Sequence, residues 1–67
     1  MITIRCNGKE IQATPESTVL DIINDLALNP ATVVVEYDRL ILKPEEYAGQ
    51  RLQEGAVLEI IRFVGGG

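Results

Sequence analysis

One amphipathic helical segment stands between two groups of strand-like segments, and this order constrains the fold more than any other feature. The apolar positions of that segment recur at helical spacing and form one stripe, made by Val19, Ile22, Ile23 and Leu26. Tight hairpins cannot join all the strands on both sides of a helix, so at least one connection must cross over. We therefore expect an α+β fold, a mixed sheet of four or five strands with one helix across one face and the last strand central, parallel to the first.

The segment before the helix is predicted to be a β-hairpin. Residues 2–6 alternate between apolar and polar side chains, which is the period of a half-buried strand. Asn7-Gly8 follows, and Asn-Gly between apolar runs is a strong hairpin signal because both residues tolerate positive φ. The second strand then runs over about residues 9–14, with its apolar positions facing the core.

The helix is predicted to run from about residue 18 to residue 27. Thr18 and Asp21 have the spacing of a capping box, with aspartate in place of the usual glutamate. Leu20 lies off the apolar stripe and is expected to be partly buried. Asn29-Pro30 is expected to end the helix, because proline cannot continue it.

The second group of strands follows the helix. Residues 33–37 are β-branched and aromatic, as in a strand, and residues 40–42 return as a short strand after a tight turn at Asp38-Arg39. A single helical or 3₁₀ turn is expected near residues 44–47. The last strand is predicted over residues 57–63.

Packing alone must stabilise this chain. Its 67 residues include one cysteine and no histidine, so an internal disulfide is impossible and a zinc site is implausible. Cys6 falls on the apolar side of a strand without a histidine to activate it, and we expect a buried, inert thiol. Tyr37 and Tyr47 are expected to pack with their hydroxyls at the surface. Since no acid and base groups pair in the sequence, we expect no enzyme and no metal site.

The charge balance is acidic, with six Lys and Arg against ten Asp and Glu and a net charge of −4. No basic stripe is present, which argues against nucleic acid and anionic membrane surfaces as partners. A protein that carries a basic patch is the better candidate. The N-terminus lacks the pattern of a signal peptide, and no apolar run approaches the roughly 20 residues that span a bilayer, so we expect a soluble cytoplasmic protein.

The chain closes on three glycines, directly after its most apolar strand-like run. Glycine loses the most backbone entropy on ordering and has no side chain to pack, so residues 64–67 are expected to be a flexible tail on a single domain of residues 1–63. Taken alone, such a run is typical of ragged termini, linkers and expression scars. The sequence does not say whether Gly67 ends the translated chain. A body without catalytic side chains favours the other interpretation, in which the tail is the working part.

Short motifs along the whole chain carry a resemblance to a known family: Ile4-x-x-Asn7-Gly8, Thr18-Val19, Val33-Val34-Val35-Glu36, Leu52-x-x-Gly55, Leu58-Glu59-Ile60 and Phe63-Val64-Gly65-Gly66-Gly67. With the order of elements, they resemble the β-grasp (ubiquitin-like) pattern and are most similar to the ThiS family, the sulfur carriers of thiamin biosynthesis. Two positions depart from the family pattern. Ala27 stands where a glycine commonly ends the helix, and Asp38-Arg39 stands where Asn-Gly commonly makes a turn.

The resemblance implies a protein cosubstrate rather than an enzyme. An E1-like activating enzyme of the ThiF type would adenylate the carboxylate of Gly67 with ATP, and persulfide sulfur from a cysteine desulfurase would displace AMP. The resulting thiocarboxylate would donate sulfur to a thiazole synthase of the ThiG type. Gly65 and Gly66 would form the stem that enters the narrow site, because residues without Cβ let the main chain approach closely. The chain itself would bind no cofactor.

A docking surface is expected beside the tail. Alternation along residues 57–63 turns every second side chain away from the helix, and an apolar patch there is typical of a partner surface. The candidate docking residues are Ile61, Phe63, Val64 and Val34. The alternatives are that these are scattered exposed apolar residues, which are normal, and that Phe63 folds back on the core.

Two other functions stay open at this point. One is a sulfur carrier of another pathway such as molybdopterin synthesis, although that small subunit is usually longer and often has prolines before its Gly-Gly, unlike Phe63-Val64. The other is a ubiquitin-like binding or modifier domain, whose tail is inert or forms an isopeptide bond with lysine. Formation of a C-terminal thiocarboxylate separates the carriers from the binding domain.

Overall fold

A single mixed sheet carries the fold in the computed structural model, which describes residues 1–62. In that part of the chain the elements are β1 (Ile2–Cys6), β2 (Lys9–Ala13), α1 (Val19–Asp25), β3 (Val33–Tyr37), β4 (Leu40–Leu42) and β5 (Val57–Arg62), with short 3₁₀ helices at Pro30–Thr32 and Pro44–Glu46. The strand order is β2-β1-β5-β3-β4. β5 is central, parallel to β1 and antiparallel to β3. The predicted α+β, β-grasp architecture is confirmed.

Both hairpins turn on two residues with positive φ. In the β1–β2 hairpin these are Asn7 at 53° and Gly8 at 82°, and in the β3–β4 hairpin they are Asp38 at 48° and Arg39 at 74°. Two-residue turns of type I′ require positive φ at both central positions, since that twist matches the twist of the strands. The departure from Asn-Gly in the second hairpin therefore leaves the turn conformation in place.

The helix begins where the sequence predicted. The Thr18 hydroxyl accepts a hydrogen bond from the Asp21 N–H at 3.3 Å, and the Asp21 carboxylate accepts one from the Thr18 N–H at 2.9 Å. These two bonds form a complete capping box, so the shorter aspartate side chain performs the role that glutamate usually has. Leu20 is half-buried, as expected.

The helix ends two residues earlier than predicted. Ala27 takes the left-handed conformation at φ 58°, its N–H donates to the Asn24 carbonyl, and the Leu28 N–H donates to the Ile23 carbonyl at 3.0 Å. This is the bonding pattern of a Schellman motif, which satisfies the last carbonyls of the helix. An alanine therefore ends the helix in the conformation that glycine usually takes, at a cost of about 1 kcal/mol or more.

Two expectations about this end of the helix are wrong as a result. Leu26 was placed on the buried stripe, but it caps the helix and is 46% exposed. Asn29-Pro30 does not end the helix; the Asn29 side chain accepts from the Ala31 N–H at 2.9 Å and starts the first 3₁₀ helix. The chain has already left the helix at Ala27, two residues before Asn29.

One continuous core lies between the helix and the sheet. It contains the inward residues of β1, β3 and β5 together with the helix stripe. The largest fully buried side chains come from the strands, the helix and the loop before β5: Ile4, Val19, Ile23, Val35, Tyr47 and Leu58. Cys6 belongs to the same cluster, 6% exposed, so the expected burial of the thiol is confirmed.

The two tyrosines tie the long loop before β5 to the rest of the fold. Tyr47 is 2% exposed, and its hydroxyl donates to the carbonyl of Val33 at 3.2 Å. The hydroxyl of Tyr37 donates to the carbonyl of Arg51 at 3.1 Å. For Tyr47 the expectation that the hydroxyl reaches the surface is wrong, because its bond to a backbone acceptor is buried in the fold. The bond of the Tyr37 hydroxyl is only partly buried.

Alkaline pH is expected to destabilise the fold through these phenols. Burial raises the pKa of both Tyr37 and Tyr47 above the ordinary value of 10.0, so the folded chain keeps its protons to higher pH than the unfolded chain. Stability is therefore fully present below about pH 10 and is lost as pH rises through the folded-state pKa, by up to about 1.4 kcal/mol per pH unit for each group. Urea unfolding from neutral to strongly alkaline pH measures this loss.

Tyr47→Phe is the matched variant for this experiment. Removal of the hydroxyl deprives the Val33 carbonyl of its donor and should lower the free energy of unfolding at neutral pH by about 1–2 kcal/mol. The alkaline loss should shrink, since one of the two phenols is gone. An alkaline slope that is the same in Tyr47→Phe as in the unmodified chain would contradict the role given to this hydroxyl.

Candidate functional site

The central strand separates the core from a second, solvent-facing side of the sheet. Leu58 and Ile60 point into the core at 0% and 6% exposure, whereas Glu59 and Ile61 are exposed, Ile61 at 55%. This follows from the period of two along a strand, which sends successive side chains to opposite faces. Ile61, one of the predicted docking residues, therefore lies on the side away from the helix.

The sheet brings two predicted docking residues together. Val34 on β3 stands opposite Ile61 on β5 in the antiparallel register, and Val34 is half-buried. Directly opposite residues on one face are close enough for their side chains to interact. The docking role of this pair stays a prediction, but the structure places both residues on one surface.

This surface also includes residues that the sequence did not point to. Ile41 on β4 stands opposite Glu36 on β3 and is 70% exposed. Leu40 and Leu42 on either side of it are also apolar, so the sequence did not indicate which of the three side chains faces outward; only the strand register does. We call this surface the outer face and define it by Val34, Glu36, Ile41, Val57, Glu59 and Ile61.

The outer face has two carboxylates in its middle. Glu36 and Glu59 are direct partners in the β3–β5 register, and like charges directly opposite each other destabilise a sheet. Apolar side chains lie on adjacent positions of the same face, namely Val34, Ile41, Val57 and Ile61. The combination of negative charge and exposed apolar area is complementary to a partner surface that offers a cation within an apolar patch.

The tail starts from this central strand. β5 ends at Arg62, which stands opposite Val33 at the start of β3. The predicted functional residues Phe63, Val64, Gly65, Gly66 and Gly67 lie outside the described residues, so their assigned roles stay predictions. What the structure supplies is the position of the residue that precedes this segment, Arg62 at the end of the central strand.

A shallow open groove of about 190 Å³ lies at the other end of the sheet and is lined partly by Thr3, Arg5, Glu10 and Glu54. Its polar groups bond to one another. The Arg5 guanidinium donates to the Gly8 carbonyl at 3.1 Å and lies 3.7 Å from the Glu10 carboxylate, while Glu54 accepts from the Thr3 N–H at 3.2 Å. These groups have partners already, so the groove offers little to a ligand.

Cys6 is poorly suited to carry sulfur itself. Burial, and secondly the nearby Glu59 carboxylate, raise the pKa of the thiol, and the thiol rather than the reactive thiolate is the form at neutral pH.

Among residues 1–62, no three His, Cys, Asp or Glu side chains form a group that could hold a metal ion. Within the same residues, no helix has the length and apolar character needed to cross a membrane.

Comparison with known proteins gives one consistent family. The model of the ThiS family matches residues 3–67. The sulfur carrier protein ThiS of Bacillus subtilis (strain 168) is 32% identical over 65 residues, which cover 96% of this chain and 98% of that protein. The two chains therefore correspond along nearly their full lengths.

Solved structures agree on the fold. The crystal structure of a thiamine biosynthesis protein (ThiS) from Geobacter metallireducens has a TM-score of 0.82 at 23% identity and covers 98% of this chain and 100% of its own. A solution NMR structure of a thiamine biosynthesis protein from the same organism has a TM-score of 0.77 at 23% identity, covering 98% and 88%. With the family match over residues 3–67 and the likeness to the Bacillus subtilis protein, these findings establish that the chain belongs to the ThiS family of β-grasp sulfur carriers.

Proposed function

We propose that this chain carries sulfur as a C-terminal thiocarboxylate on Gly67 and donates it to thiazole synthase in thiamin biosynthesis. The observation that carries the proposal is the ThiS family match, which runs through the terminal glycines to Gly67. The folded body has a small core and a buried thiol with a raised pKa. Its role in this proposal is to present the tail to the partner enzymes. In this scheme the chain is a protein cosubstrate, and its partner enzymes perform the catalysis.

The chemistry begins with activation of the terminal carboxylate. A carboxylate is a poor electrophile because it is anionic and has no good leaving group. Attack of the Gly67 carboxylate oxygen on the α-phosphorus of ATP releases pyrophosphate and gives an acyl-adenylate. An E1-like activating enzyme of the ThiF type binds the ATP, so this chain requires no nucleotide site of its own.

Sulfur then replaces the adenylate. The terminal sulfur of a persulfide, charged by a cysteine desulfurase, attacks the acyl carbon and expels AMP. A thiol that cleaves the resulting acyl disulfide at its S–S bond releases the thiocarboxylate and leaves a disulfide between the two thiols. A thiazole synthase of the ThiG type consumes the thiocarboxylate and returns the carboxylate form of the chain.

For these steps the tail must be long enough to bring its carboxylate into an enzyme site and narrow enough to pass through the channel that leads to it. Five residues follow Arg62, and fully extended they span at most about 18 Å. That length allows the carboxylate to enter an enzyme site while the folded body stays outside. Glycines at 65 and 66 add no side chain that a narrow channel would have to accommodate.

The outer face is proposed to be the surface that the activating enzyme holds. It lies on β5, whose last described residue leads directly into the tail. Its exposed apolar residues and its Glu36–Glu59 pair suit a partner with a cation inside an apolar patch. The net charge of −4 favours encounter with such a partner.

Intact-protein mass spectrometry tests the tail chemistry. With a ThiF-type enzyme, MgATP and a persulfide donor, one oxygen of the chain should be replaced by sulfur, and deletion of Gly67 should abolish the product while the circular dichroism spectrum stays unchanged. Gly66→Ala should reduce turnover at least about tenfold, since a misplaced reacting group costs that much or more. A chain that forms neither adenylate nor thiocarboxylate would overturn the proposal.

Gly49→Ala is the matched control for the tail substitution. It makes the same chemical change on the body, where the nearest atom to an added Cβ is the Glu46 carbonyl oxygen at 3.9 Å, an ordinary contact. We expect normal thiocarboxylate formation from this variant. Equal turnover of Gly66→Ala and Gly49→Ala would show that the stem tolerates side chains and that the narrow-channel argument is wrong.

Substitution on the outer face tests the docking role separately. Ile61→Ser should raise the KM of the activating enzyme for this chain about 5- to 30-fold, the equivalent of about 1–2 kcal/mol of lost apolar contact. Glu59→Gln should also raise KM, yet slightly stabilise the fold because it removes the like-charge pair. Steady-state kinetics and urea unfolding measure the two effects.

Leu40→Ser is the control for Ile61→Ser. Leu40 is 70% exposed but stands opposite the buried Tyr37, on the side of the sheet that faces the core. The variant removes a comparable exposed apolar side chain without touching the outer face, and its KM should match that of the unmodified chain. A KM increase that is equal for Leu40→Ser and Ile61→Ser would contradict docking on the outer face.

A further inference from the structure

Asn7 does more than make a hairpin turn. Its N–H donates to the Leu58 carbonyl at 2.9 Å. Its side chain then makes two bonds with the next residue on the same side of β5: the Ile60 N–H donates to Asn7 Oδ1 at 2.8 Å, and Asn7 Nδ2 donates to the Ile60 carbonyl at 3.3 Å. The side-chain amide thus bonds to β5 as the backbone of a neighbouring strand would.

This contact extends the pairing of the two parallel strands. The β1–β5 register ends with Cys6 opposite Leu58, so beyond that point β1 has turned away into the hairpin. The Asn7 side chain fills the next position and binds Ile60, two residues before the end of β5 at Arg62. Both side-chain bonds are partly buried, so water competes less well for the same donor and acceptor groups.

The second hairpin holds the opposite end of β5 in a related way. The N–H of Asp38 donates to the Val57 carbonyl at 2.8 Å, and the Val57 N–H donates to Asp38 Oδ1 at 2.9 Å. Asp38, like Asn7, is the first turn residue and has positive φ. One hairpin therefore binds the start of the central strand and the other binds its end.

We propose that Asn7 is a positioning residue for the C-terminal segment, because its side chain fixes the end of β5 to which that segment is covalently joined. The inference rests on the proposed function, in which the segment must present its carboxylate to a partner. With Asn7 in place, Ile60 is hydrogen-bonded on the β1 side of β5, while β3 pairs with residues 60–62 on the other side. Without the side chain, only β3 pairs with this end of β5, and the start of the tail is less well directed.

The residue type suits this position for two reasons. Positive φ limits the choice to glycine, asparagine and aspartate with little strain. Among these three, only asparagine both accepts from the Ile60 N–H and donates to the Ile60 carbonyl. Asp38 needs only the acceptor, because its side chain binds an N–H alone.

Asn7→Gly and Asp38→Gly form a matched pair of variants. Both keep a residue that tolerates positive φ; Asn7→Gly removes two side-chain hydrogen bonds to β5 and Asp38→Gly removes one. Hydrogen exchange followed by NMR should show the Ile60 amide at least about tenfold faster in Asn7→Gly with the Val57 amide unchanged, and the reverse in Asp38→Gly. The full chain is used in each case.

Kinetics with the activating enzyme separate positioning from general destabilisation. Asn7→Gly should raise the KM for this chain about 3- to 10-fold with kcat nearly unchanged, because the loosened strand end must be ordered on binding. Asp38→Gly loosens Val57 on the outer face but not the far end of β5, so its KM should rise less than that of Asn7→Gly. Equal KM values for the two variants, or an Ile60 amide that exchanges at its normal rate in Asn7→Gly, would overturn the proposal.

A second variant covers the case in which Asn7→Gly does not fold. Asn7→Asp keeps the acceptor for the Ile60 N–H but loses the donor, so we expect a raised KM with partial protection of the Ile60 amide. Normal KM and normal exchange in Asn7→Asp would count against the inference. Failure of the unmodified chain to form an adenylate would sink the proposed function instead, and the exchange rates would still decide whether Asn7 holds the strand end.

Discussion

The pairing of β5 between β1 and β3 is the interaction on which the rest of the structure depends. β5 is the last element described, yet it lies in the middle of the sheet. Its inward residues Leu58 and Ile60 complete the core, and its outward residues Glu59 and Ile61 form the outer face. Because the two sets alternate on one strand, a shift of register by one residue would exchange them. Core, outer face and tail origin are thus determined by one alignment.

This dependence explains why both hairpin turns bind β5 with side chains. Strand pairing across 53 residues between Asn7 and Ile60 closes a long loop, which costs conformational entropy that local contacts do not recover. The Asn7 and Asp38 contacts stabilise the alignment at its two ends. The Glu36–Glu59 pair works against the same alignment, a sign that the outer face is not optimised for stability alone and consistent with use as a binding surface.

Local chemistry allowed most of the fold to be predicted. The period of two, the helical stripe, the Asn7-Gly8 turn and the Thr18–Asp21 capping box each act within a few residues, so their outcomes follow from neighbouring side chains. The end of the helix was predicted wrongly because an alanine, Ala27, takes a conformation usually reserved for glycine. The hydrogen bonds of Ala27 and Leu28 satisfy the last helix carbonyls in this conformation, and Leu28 packs against the core, a contact that no local pattern reveals.

The sequence by itself determined the order of elements, the family resemblance and the composition of the tail. It also indicated that Ile61 and Val34 could lie on one surface. Only the tertiary structure decided that Ile41 and Glu36 join that surface, that the tyrosine hydroxyls bind loop and strand carbonyls, and that Asn7 holds the end of β5. The physical reason is sequence separation: these partners lie from 5 to 53 residues apart, and only the strand register and the packing of the loop before β5 bring them within hydrogen-bond or van der Waals distance.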